Sequence, residues 1–192
     1  LATHQRSRPP VHHGARDNGV AVAPAVPTLA ATLHDRGYAT AAFVAAFPLD
    51  RRFGLARSFD VYSDRMPRGP DGRLANERPG RDVVDEALTW LADHRDRAGT
   101  RAAGRPAAPP FFLWVHLFEP HAPYGDPVRD RSRPAILRYD EEIATADREV
   151  GRLVEALGPA IGQTLVVAAS DHGEAFGEHG EGFVRIAMVE NE

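Results

Sequence analysis

The sequence predicts an α/β fold: a mostly parallel sheet with helices on both faces, arranged as three layers. Three observations carry that expectation. Helix-period segments alternate with short apolar runs in the order helix, strand, helix, strand, helix, strand. The apolar runs are too short for helices and are bounded by glycine, proline or polar residues. The most reactive polar residues stand just beyond two of those runs, where ligands gather at the carboxyl ends of parallel strands.

A chain of 192 residues is long enough for one such domain with a core. A formal charge of −4 provides no general electrostatic case for nucleic acid. No long apolar run occurs, so no transmembrane helix is expected. Every basic residue is Arg, so any grip on an anion falls to Arg or His. Cysteine is absent, which excludes disulfides, thiolate zinc sites and a cysteine nucleophile within these residues. The chain begins at Leu1 rather than Met and shows no charged-then-apolar leader pattern, which leaves its compartment open.

Residues Leu1 to Pro24 are rich in Arg, His, Pro and Gly and read as loop. Two readings stand even there: a solvated loop, or one wall of an anion site built by His13 and Arg16. Pro27 to Arg36 reads as a short helix, with Pro27 in its first turn and Gly37 as its stop. Tyr38 to Ala46 reads as a strand, Phe47 to Asp64 as irregular loop, and Arg65 to Gly80 as a surface loop. Arg81 to Asp96 is a helix: Val84, Leu88 and Leu91 share a face, and Asp82, Asp85 and Glu86 favour its amino end. Ala98 to Pro109 is a proline-rich surface linker.

Phe111 to Leu117 reads as a central strand, with His116 as a core histidine bonded to a neighbour. Pro120 and Pro123 frame His121 and deny it a helical setting. Ile136 to Leu157 is a long amphipathic helix with Ile143, Ala146, Val150, Leu153, Val154 and Leu157 as its apolar stripe. Its acidic residues, Asp140, Glu141, Glu142, Asp147 and Glu149, read as the solvated face. Gly158 and Pro159 end it.

Thr164 to Ala169 reads as a buried strand that changes abruptly into Ser170, Asp171, His172, Gly173 and Glu174. A carboxylate beside an imidazole is costly to bury unpaired, and a divalent cation would offset that cost. The competing reading is an ordinary polar turn capped by Asp171. Glu174, Glu178 and His179 close by raise the metal or catalytic reading without settling it. Right-handed crossovers would bring the loops of His121 and of Asp171 with His172 to one rim.

Ser170-Asp-His-Gly-Glu174 with Gly177-Glu-His-Gly180 resembles the sulfatase signature, and Pro120-His-Ala-Pro-Tyr124 resembles that family's Pro-His-x-Pro-Tyr element. Pro27 to Ala31, Arg36 to Phe43 and Arg52 to Tyr62 resemble the intervening segments of bacterial arylsulfatase-like enzymes. Pro10 to Gly19 resembles the loop after the family's nucleophile. Order and spacing together are specific, and the similarity runs to about Glu181.

The resemblance implies an alkaline-phosphatase-like fold and hydrolysis of a small-molecule sulfate ester. It implies a formylglycine nucleophile beside a divalent cation, calcium or alternatively manganese. Asp171 and His172 would be metal ligands, and His121 would contact the ester and assist the leaving group. Cation and imidazole would both face developing negative charge, a task that suits histidine as a residue type.

The departures are definite. No Cys-x-Pro-x-Arg or Ser-x-Pro-x-Arg occurs, nor do the family's first metal-binding aspartates. Phe47-Pro-Leu-Asp50 stands where a Gly-Lys-x-His element would follow the strand. Residues Gly182 to Glu192 match nothing in the pattern, and no small carboxyl-terminal domain follows. The expectation is therefore an internal fragment: residues 1–192 form part of a catalytic domain, inactive alone and weak in metal affinity. Two alternatives stand beside it, a phosphonate or phosphate ester hydrolase of the same superfamily and a non-catalytic α/β binding module.

Overall fold

The computed structural model describes residues 15, 19–99, 108–125, 130, 132–170, 173 and 176. Contacts divide the chain into two compact units, Leu1–Phe118 and Glu119–Glu192.

The first unit holds an all-parallel sheet in the order β2-β1-β3, where β1 is Ala39–Val44, β2 is Val61–Ser63 and β3 is Phe111–His116. Helices α1, Leu29–His34, and α2, Gly80–Gly99, pack on it. This is the α/β arrangement expected, incomplete in strand number. Helix α1 starts later than Pro27 because Thr28 caps it, its hydroxyl accepting the Ala31 N–H at 3.1 Å. On α2, Val83, Val84, Ala87 and Leu91 are buried as one stripe, as a 3.6-residue period requires.

Strand β1 is central and apolar, and Thr40 to Val44 are all buried. Buried Thr40 is satisfied by Asp60, whose Oδ2 accepts the Thr40 N–H at 2.7 Å, while the Thr40 hydroxyl donates to the Ser58 carbonyl at 2.9 Å. Register pairs Phe43 with Ser63 and Val44 with His116, so the carboxyl ends of the three strands share one rim.

Four expectations about loops and strands need correction. Phe47 to Asp64 is not loop throughout, because β2 forms within it, held by the Tyr62 hydroxyl donating to the Leu49 carbonyl and by Arg51 on Asp64. Arg65 to Gly80 is not all surface, since Met66 and Arg78 are buried. Strand β3 is an edge of the described sheet rather than its centre, with half-exposed residues. Thr164 to Ala169 forms no strand: Leu165 is 83% and Val167 70% exposed. A β-branched run becomes a strand only against a neighbour that completes its ladder, and no such pairing forms among the described residues.

The second unit contains α3, Ala135–Leu157, followed by a 3-10 turn, Gly158–Gln163. Its expected apolar stripe is not buried: Ile143, Val150 and Val154 are exposed, whereas Glu149, expected to be solvated, is buried and paired with Arg152 at 2.6 Å. An amphipathic face is covered only when the element meant to pack on it is in place. Among the described residues, no helix is long and apolar enough to cross a membrane.

His94 on α2 stacks on Trp90, meets Phe111 edge-on, and donates from Nε2 to the Pro109 carbonyl at 3.0 Å. Burial lowers its pKa against the opposing effect of that hydrogen bond. A depressed folded-state value means stability is complete above the unfolded value near 6.5 and is lost as pH falls through the lower folded value. Thermal melts should therefore drop as pH falls below the unfolded value near 6.5. His94→Phe should flatten that drop; an unchanged pH profile in the variant would refute this assignment.

Candidate functional site

The described part of the candidate site is the loop from Glu119 to Gly125. Two prolines fix much of its backbone and remove two N–H groups. His121 is exposed, and its Nδ1 lies 2.6 Å from the Ala122 carbonyl. A carbonyl oxygen only accepts, so Nδ1 carries the hydrogen in this contact.

Helix α3 anchors this loop at three points. Glu142 Oε2 accepts the His121 N–H at 3.2 Å and its Oε1 accepts the Gly125 N–H at 2.6 Å. Arg138, one turn earlier, donates from Nη1 to the Tyr124 carbonyl at 2.7 Å. The Tyr124 ring is buried, with Tyr139 at 5.3 Å and Phe176 at 5.7 Å between ring centres. Gly125 has φ of 62°, and a Cβ there would stand 3.0 Å from Asp130 Oδ2, so the turn out of the loop calls for glycine. Arg133 grips Glu141 and holds that carboxyl below its ordinary range, so Glu141 stays ionised beside the loop anchor.

Asp171 and His172, with Glu174, Glu178 and His179, lie outside the described residues, as do His13 and Arg16. Gly173 and Phe176 are the described members of that segment. Among the described residues, no three His, Cys, Asp or Glu side chains gather as a metal cluster. His116 ends β3, half-buried, with its ring edge-on to Trp114 at 6.5 Å.

Sequence reasoning missed Glu142 and Arg138, because α3's acidic residues read as solvent-facing.

A protein-family model described as Sulfatase matches residues 2–187. No match was found among curated proteins or among solved structures.

Proposed function

The chain belongs to the sulfatase family, a family of sulfate-ester hydrolases, and from that premise we propose that its protein cleaves sulfate monoesters of the arylsulfatase type, with His121 at the ester. The supporting observation is the build of the His121 loop. Its backbone is fixed by prolines and by Glu142, its ring is oriented by the Ala122 carbonyl, and the side chain stays open to solvent. A pre-set imidazole is what stabilisation of a departing oxygen needs, since the donor then pays no reorganisation during the reaction. With Nδ1–H committed to Ala122, donation from Nε2 calls for the imidazolium form.

Asp171 and His172 would hold a divalent cation. A carboxylate oxygen and an imidazole nitrogen suit such an ion in chemistry, but they are few beside the roughly 6 to 8 oxygens that calcium takes. These two residues would thus form part of the site. The bound cation would offset charge on the sulfate oxygens. The chain holds no residue in the nucleophile motif, so we place that group outside it and assign the 192 residues no turnover of their own.

The test is the longer protein assayed side by side on aryl sulfate, aryl phosphate and phosphonate esters. Sulfate should be preferred, and His121→Ala should lower kcat on sulfate by about 10²-fold or more. A preference for phosphate or phosphonate, or a His121→Ala variant with full kcat, would overturn the reading.

A further inference from the structure

We propose that Glu142 is a positioning residue for His121: one carboxylate on α3 clamps both ends of the His121–Gly125 loop and thereby sets the direction of the imidazole. The inference rests on the reading of His121 as the ester-facing residue and adds a residue that this reading does not contain.

The geometry is specific. Pro123 has no N–H to give, so between His121 and Gly125 the loop offers only the amides of His121, Ala122, Tyr124 and Gly125. Glu142 takes the first and the last of these, one on each oxygen, at 3.2 and 2.6 Å. Bonds to an ionised acceptor are the stronger class, and two bonds to one rigid carboxylate fix a distance as well as a point. Glu142 lies within a 23-residue helix, so the clamp is built on a regular element rather than on another loop.

The ring of His121 is oriented from inside the clamped segment, through Nδ1 on the Ala122 carbonyl at 2.6 Å. The Ala122 carbonyl lies between the two clamped amides, so freeing them would loosen the segment that carries it, and the tautomer would lose its anchor. Arg138 on the Tyr124 carbonyl is a separate tie to the same helix, so loss of Glu142 should loosen the loop without detaching it.

Nuclear magnetic resonance of the full 192-residue chain reads this without any catalysis. In the parent sequence, long-range proton–nitrogen spectra at alkaline pH should show His121 as the Nδ1–H tautomer. In Glu142→Ala the ring should move towards the Nε2–H form, and amide exchange at His121 and Gly125 should quicken at least about tenfold. Glu142→Gln keeps one acceptor oxygen, so it should retain protection at one of the two amides, and it decides the matter if the alanine variant does not fold. Glu141→Gln breaks the Arg133 pair on the same turn and should change neither amide.

A titration with inorganic sulfate supplies the readout that a merely structural role would not move. Sulfate should shift the His121 ring signals, and its affinity should weaken several-fold in Glu142→Ala and recover in part in Glu142→Gln. Unchanged amides and tautomer in a folded Glu142→Ala or Glu142→Gln chain, or equal loosening by Glu141→Gln, would overturn the proposal. So would undiminished sulfate affinity in a folded Glu142→Ala chain. Sulfate that leaves the His121 signals of the parent chain unmoved would instead overturn the ester-facing role of His121, with the amide and tautomer results still deciding whether Glu142 sets the ring.

Discussion

The purified 192-residue chain should release no product from 4-nitrocatechol sulfate above the rate of buffer alone, with or without added calcium or manganese. Hydrolysis of a sulfate monoester by covalent catalysis needs a nucleophile poised against the sulfur, and cysteine, the usual precursor of that group in the family, is absent from the chain. No serine sits in a Ser-x-Pro-x-Arg setting either. Removing a covalent nucleophile from a hydrolase costs on the order of 10⁶ in kcat, because the remaining groups act mainly through it. Under the proposed function His121 would not stand in for the missing group, since it would only assist the cleavage of a bond that a nucleophile attacks. Turnover above background that disappears in His121→Ala would show that a nucleophile does lie within these residues, and the sequence reading of the motif would be wrong. The same assay on an active arylsulfatase provides the positive control.

Legibility in the sequence followed the range of the forces involved. Helix α2 was readable because Val84 and Leu91 repeat at a helical period, a property of neighbours along the chain. Strand β1 was readable because a central parallel strand is buried on both sides, so it must be apolar throughout. Strand β2 was hidden because Val61, Tyr62 and Ser63 have no pattern of their own and become a strand by pairing with Ala41, Ala42 and Phe43. The opposite error occurred at Thr164 to Ala169, where composition promises a strand but no ladder forms. In the candidate site, proline framing of His121 was plain in the sequence. The helix residue that holds its loop was not, for Glu142 contacts Gly125 across 17 positions and His121 across 21, and no spacing rule reaches that far. A carboxylate in an amphipathic helix looks solvated until the fold shows what it accepts.

Arg78→Ala should destabilise the first unit by about 3–4 kcal/mol, read as a lower urea midpoint at unchanged slope. Arg78 lies in a stretch whose composition reads as surface loop, yet its side chain is 3% exposed. Its guanidinium ties the carboxyl ends of two parallel strands to the helix that covers them. Nε donates to the Val44 carbonyl at 3.0 Å, Nη2 to the Ser63 carbonyl at 3.2 Å, and Nη1 to Glu86 on α2 at 3.1 Å. Glu86 in turn accepts from the Ser63 hydroxyl. Deletion leaves two strand-end carbonyls without this donor, a carboxylate without its cation, and a cavity where the side chain was. Glu86 is itself 30% exposed, so water softens the loss of charge pairing; most of the expected cost comes from the carbonyls and the void. Arg78→Lys should recover only part of the loss, because a point charge cannot meet three acceptors spread across a planar fork. Arg78→Met combined with Glu86→Leu should lie closer to the parent than Arg78→Ala, since it removes the charge that the single change strands. A loss below about 1 kcal/mol for Arg78→Ala would fit a mere surface residue and would refute the lock. The consequence for function is positional: in parallel sheets the carboxyl ends of the strands are where ligand loops depart, and here a buried cation holds two of those ends in fixed register before any substrate arrives.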